Sequence, residues 1–399
     1  MRTLVVSDLH LGQGLQANPA GARALSRLLD GVGEGPLRIV LNGDTFEGEG
    51  QAFDERAHPH EFPGGLEQAR ALTHVARVVE AGGELLIRTC ERVESYRSAA
   101  LARIHAILRI SPQGQRRVAV QWASTSGVLE ISGVRIVVTR PCIRASVAQQ
   151  RLLVELLEPL RRNYGTGIVE HLLPDLEAAA LGAIAVNPTA VRLTLCERAS
   201  SRRHDDVASW MATLIGDVAL ETEERGILLA ALDPECSLAA AEYTILDRAR
   251  AKILRHCLAQ RVCDARGLRQ FASAEVSALR RGARSCGASA VLVASSHLPA
   301  WSGSDGLVVV DTGSWVDTVR VPPDTGEEGW RQMLDAWERL PRRYGEEPAL
   351  AMAAGLRSQF TAALVEPRAA GGVSLSLLES APGRQFVRLC EAALPLSAS

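Results

Sequence analysis

The chain has 399 residues, of which 47% are apolar and 23% charged, with a formal net charge of -2 and a pI of about 6.5. Those values suit an ordinary globular protein and exclude a disordered chain. They give no sign of the strongly basic surface that specific nucleic-acid binding needs.

Residues 3–7 form an apolar run ending in Ser7-Asp8, the pattern of a buried strand that delivers its end to a loop. A helix is predicted over 20–29, and a strand over 37–41 that ends in Asn42-Gly43-Asp44. Helical periodicity follows over 64–81 (Leu66, Ala69, Leu72, Ala76, Val79), then a strand over 84–87. Strand and helix in alternation imply parallel pairing and an α/β layered core. Residues 97–109 read as helix, and 117–123 and 128–139 as strands, with a turn at Ser132-Gly133. From 145 to 283 the chain is rich in Ala, Leu and Arg and reads as several amphipathic helices. Apolar strands return over 288–294 and 307–310, the second running into Asp311-Thr312-Gly313-Ser314-Trp315. The tail holds a helix over 328–339 and a strand-like stretch near 373–378.

The cysteines, eight in number, contain no C-x-x-C spacing and are expected as free thiols in a reducing cytoplasm. The N-terminus lacks the apolar length of a signal peptide, and no charge-free apolar run reaches about 18 residues. A cytoplasmic protein with no transmembrane segment is expected, at most peripheral at a membrane surface.

Asp8-Leu9-His10 follows the first strand and Gly43-Asp44 the second. Carboxylate and imidazole groups on loops at the ends of parallel strands suit a divalent metal, because such ends converge at the ligand-binding edge. The sequence here resembles the calcineurin-like metallophosphoesterases, whose blocks are Asp-x-His, Gly-Asp, Gly-Asn-His-Asp/Glu, a strand ending in His, and Gly-His-x-His. The corresponding stretches are Ser7–Gly12, Asn42–Glu47, Arg88-Thr89-Cys90-Glu91, Val137–Cys142 and Ala294-Ser295-Ser296-His297. Asp311–Trp315 is similar to the Asn-Thr-Gly-Ser-Trp of relatives. The resemblance covers residues 1–142 and 284–320. It implies a four-layer α/β/β/α sandwich carrying a large helical insertion. The domain organisation implied is a core over 1–144 and 284–322, a helical cap over 145–283, and an extension over 323–399.

The resemblance also implies a partition of the metal site. Ligands of one ion fall at Asp8, His10, Asp44 and His297, all of them residues able to hold Mn, Fe or Zn. Ligands private to a second ion fall at Thr89, Arg140 and Ser295, and a guanidinium cannot coordinate a metal. One divalent metal is therefore expected, and not a second. The family's catalytic histidine falls at Cys90, which removes the usual proton donor. Arg88 and Arg140 are candidate phosphate-binding residues, Arg140 alternatively filling the vacated position with positive charge. The plainer alternatives are strand-end turn residues for Asp8, Asp44 and His297, a solvated Arg140, and an inert thiol at Cys90. His58 and His60 are either at the site entrance or on an ordinary surface loop.

Residues 156–175 are similar to the insert of the bacterial UDP-2,3-diacylglucosamine pyrophosphatase-like branch, in which the helices sit over the cleft. The function implied is that of a pseudoenzyme binding a phosphorylated small molecule or lipid-like ligand, or a protein partner through the helices. The alternative is a working phosphoesterase or pyrophosphatase with a mononuclear site.

Overall fold

A computed structural model of the chain describes residues 1–9, 11, 19–33, 35–43, 45, 66–89, 97–122, 127–139, 220–231, 237–259, 263–271, 273–294, 298–304, 306–315, 317–321, 325–326, 328–330, 332–333, 336, 348–353, 355–381 and 386–396. Two compact units are present, one of residues 1–142, 264–318 and 358–399, the other of 143–263 and 319–357.

The first unit opens with β1 (Arg2–Ser7), α1 (Pro19–Gly31), β2 (Leu37–Asn42), α2 (Leu66–Glu80) and β3 (Glu84–Thr89). It continues with α3 (Arg97–Leu108), a single turn α4 (Pro112–Gln115) and β4 (Val118–Trp122). Then come the hairpin strands β5 (Gly127–Ile131) and β6 (Val134–Thr139). In the second unit, α5 (Thr222–Ala231) and α6 (Ala240–Ala259) pack on one another, with Lys252 Nζ 2.8 Å from Glu224 Oε2. The first unit resumes with α7 (Ser273–Ser285), β7 (Ala290–Val293), β8 (Pro299–Ser304) and β9 (Leu307–Thr312). Short elements follow, β10 (Asp317–Val319), α8 (Pro348–Ala353) and β11 (Leu356–Ser358). The chain closes with β12 (Thr361–Pro367), β13 (Val373–Glu379) and β14 (Val387–Leu394).

Two mixed sheets make up the first unit. The larger has the order β14-β13-β12-β1-β2-β3-β4, and the smaller β5-β6-β7-β9-β8. Strands β1 to β4 are mutually parallel, as are β6, β7 and β9. Parallel neighbours need crossover connections, which helices supply between β1, β2, β3 and β4, while β7 reaches β9 by way of β8, antiparallel to β9. The expected mixed α/β class is what the chain adopts.

Alternation along the strands sorts side chains onto opposite faces. Leu4, Val6, Ile39, Leu41, Leu85 and Ile87 of the large sheet pack with Leu25 and Leu28 of α1, Leu72 and Val79 of α2, and Ile104 of α3. On the other face, Val5 and Val40 join Ile136 and Val138 of β6, Leu292 of β7 and Val310 of β9. The far face of the small sheet, with Val137, Val291, Val293 and Val309, packs on Val276 and Ala283 of α7 and its flank. A strand buried on both faces has no polar alternation, which is why β1 and β9 read as continuous apolar runs.

Two features differ from the sequence reading. The tail contributes three strands to the large sheet, where the sequence reading has one strand-like stretch, and β12 pairs antiparallel with β1 while β13 and β14 extend the sheet to its edge. Helix α7 and the segment from Asp264 belong to the sheet-bearing unit, because their apolar residues are buried on the small sheet. Among the described residues, no helix is long and apolar enough to cross a membrane. Cys263, Cys286 and Cys390 are free thiols.

Candidate functional site

The parallel strands of each sheet end in register. Ser7 pairs with Asn42 and Asn42 with Arg88 in the large sheet, while Thr139 pairs with Val293 and Val293 with Asp311 in the small one. Each of these end residues in the large sheet reaches across to the small sheet. Ser7 Oγ hydrogen-bonds to Thr312 Oγ1, Asn42 Nδ2 donates to the Thr139 carbonyl at 3.3 Å, and Arg88 Nη1 donates to the Val138 carbonyl. Apolar packing between the sheets thus gives way to a polar row at the carboxyl edge, the edge where open α/β sheets bind ligands. Ser7, Asp8, Asn42, Arg88 and Thr312 are each no more than 1% exposed.

The loops leaving this edge are locked to one another through their backbones. Asp8 N donates to Asn42 O at 3.1 Å, and Asp8 O accepts from Trp315 N at 3.0 Å. Asp8 has φ of 46°, a left-handed conformation that costs an L-residue about 1 kcal/mol or more and is least costly for Asn and Asp. Gly43, at φ of 99°, donates to Arg88 O at 2.8 Å, Thr45 N donates to Gly43 O at 2.9 Å, and Leu11 N donates to Thr45 O at 2.9 Å. In the small sheet, Asp311 is fully buried, its Oδ1 accepting from Gly313 N at 3.0 Å and its Oδ2 lying 3.8 Å from Arg269 Nη2. Trp315 donates through Nε1 to Thr361 O at 2.9 Å and stacks on Phe360 with 5.6 Å between ring centroids.

Of the residues singled out in the sequence, Asp8 stands at this edge. Arg88 stands there as well, its guanidinium buried against Gly127 and bonded to β6. Thr89 ends β3, but its side chain lies outside the described residues. His10, Asp44, Cys90, Arg140, Ser295 and His297 lie outside the described residues, as do His58 and His60. Their described neighbours are Leu9 and Leu11, Gly43 and Thr45, Thr89, Thr139, and Ala294 and Leu298. Among the described residues, no three His, Cys, Asp or Glu side chains gather as a metal-binding group.

The donor atoms at this edge fit a hard cation. Asn42 Oδ1 and Thr45 Oγ1 are buried with no hydrogen-bond partner, and both are oxygens of the kind that Mg, Mn or Ca accepts. Sequence reasoning passed over Ser7, Asn42 and Thr312 as site residues. Their one signal was a polar residue closing each apolar run, while the partners that give it meaning come from distant strands. No family model matches this chain, and no curated protein matches it.

Proposed function

We propose that this chain is a degenerate metallophosphoesterase-like protein, a pseudoenzyme with one divalent metal that binds a phosphorylated ligand. On this reading the helices and two sheets form a four-layer α/β/β/α sandwich. The observation that supports it most is the carboxyl edge, where the parallel strands of both sheets end in register and are joined by Ser7, Asn42 and Arg88.

Asp8, His10, Asp44 and His297 are the residues that would hold the metal, and when bound it would polarise a phosphoryl oxygen. Thr89, Arg140 and Ser295 offer no comparable ligand set for a second ion. Cys90 stands where the resemblance implies a proton-donating histidine, so the imidazole that would serve as proton donor is absent. Arg140 is the guanidinium proposed to take over charge neutralisation or to hold the phosphate in a bidentate manner. Ligand binding without hydrolysis follows from keeping the first set and losing the second together with the histidine. The helical insertion is the proposed surface for a protein partner.

The test uses the full chain. Metal content after manganese loading is measured by elemental analysis, beside turnover of an aryl phosphodiester. One equivalent of metal that disappears in Asp8→Asn, with no turnover, is the expected result. Asn is chosen because it tolerates the left-handed backbone at this position, so the charge is lost while the local backbone is kept. Turnover abolished by Asp44→Ala would replace the pseudoenzyme with a mononuclear hydrolase, and a chain that binds no metal would end the reading altogether.

A further inference from the structure

We infer that Asn42 supplies an additional oxygen ligand to a divalent cation at the carboxyl edge, a role that rests on the metal-binding reading above. The orientation of its carboxamide is decided by its neighbour. The Thr139 carbonyl can only accept, so the atom facing it at 3.3 Å is Nδ2, and Oδ1 is turned the other way. That oxygen is buried on a residue 1% exposed and has no hydrogen-bond partner. A buried acceptor left so keeps its full desolvation cost, which a bound cation or a donor removes.

Position specifies the kind of partner. Asn42 is the last residue of β2, paired in register with Ser7, which immediately precedes Asp8. It also immediately precedes Gly43-Asp44. The dianion of a phosphate ester brings only acceptors and does not satisfy Oδ1, whereas a metal ion does. A carboxamide oxygen is a hard donor and favours manganese or magnesium over zinc. The nearby Thr45 hydroxyl, also buried and without a partner, is a second oxygen of the same class, although a hydroxyl can rotate to serve as donor or acceptor.

The substitution Asn42→Leu isolates the role. It removes Oδ1 while keeping the number and branching of the side-chain heavy atoms, and the Thr139 carbonyl keeps the Ala294 N–H at 3.1 Å, so no buried group is orphaned. Affinity of the full chain for manganese and for zinc is measured by titration calorimetry, with the rise in Tm on manganese addition as a second readout. Asn42→Leu is expected to weaken manganese binding at least about tenfold, to weaken zinc less, and to shrink the manganese-dependent rise in Tm. A purely structural asparagine, or one that holds only an internal water, would leave manganese affinity and the manganese-to-zinc ratio unchanged, and that result overturns the inference. Manganese binding that is lost in Asp8→Asn but unaltered in Asn42→Leu overturns this role alone. A wild-type chain that binds no manganese overturns it together with the reading it rests on.

Discussion

Gly21, in the first turn of α1, lies where an added β-carbon would meet the Trp315 carbonyl oxygen at 2.6 Å. On an exposed helix, Gly→Ala stabilises by about 1 kcal/mol. Here the opposing group is backbone that cannot retreat. Trp315 N is bonded to Asp8 O, its indole to Thr361 O, and its ring lies on Phe360. Overpacking of this kind costs about 1–3 kcal/mol, so Gly21→Ala is expected to destabilise the protein and lower its urea midpoint. A midpoint that rises would show that α1 is free to shift. The same lock explains why Asp8 keeps a left-handed backbone, since hydrogen bonds on both sides hold it in place.

Among the elements, those that announced themselves carry their own periodicity. Helix α2 buries Leu72, Val75, Ala76 and Val79 at helical spacing, and β1 and β9 are unbroken apolar runs. Strand β8, Pro-Ala-Trp-Ser-Gly-Ser, has one large apolar residue and no such signal, and it exists because it pairs with β9 along its length. The turn at Asp264 is likewise made by contacts. Its carboxylate accepts from Leu268 N at 2.9 Å, from Arg266 N at 2.9 Å, and from the Arg266 guanidinium. Burial is the largest single influence on this carboxyl and raises its pKa, but the donors together outweigh it and hold the group below the ordinary aspartate value. A carboxyl whose folded pKa is depressed stabilises the fold above its unfolded pKa and loses that contribution as pH falls through the folded value. Thermal melts from pH 7 down to pH 2.5 should therefore show a smaller acid-induced fall in Tm for Asp264→Asn than for the wild type, from a lower starting Tm. Equal acid sensitivity in the two proteins would assign the loss to other carboxylates.

For the whole molecule, the C-terminal strands are structural members of the sheet on which the candidate site stands. A chain ended at Arg357 loses β12, the antiparallel partner of β1, together with Ala362, Leu364 and Leu378 from one apolar cluster and Val365, Leu375 and Leu377 from the other. Such a truncation is expected to give no cooperative thermal transition by circular dichroism. A soluble product with a sharp melt would mean that these strands are dispensable. The sequence by itself determined the parallel β/α alternation, the α/β class and the order of polar residues that close the apolar runs, because side-chain periodicity is a local property of the chain. Only the tertiary structure decided that the tail strands flank β1 and that Ser7 meets Thr312 and Asn42 meets Thr139. Those pairings join residues 305 and 97 positions apart, and no local pattern specifies which distant strand a polar end residue will face.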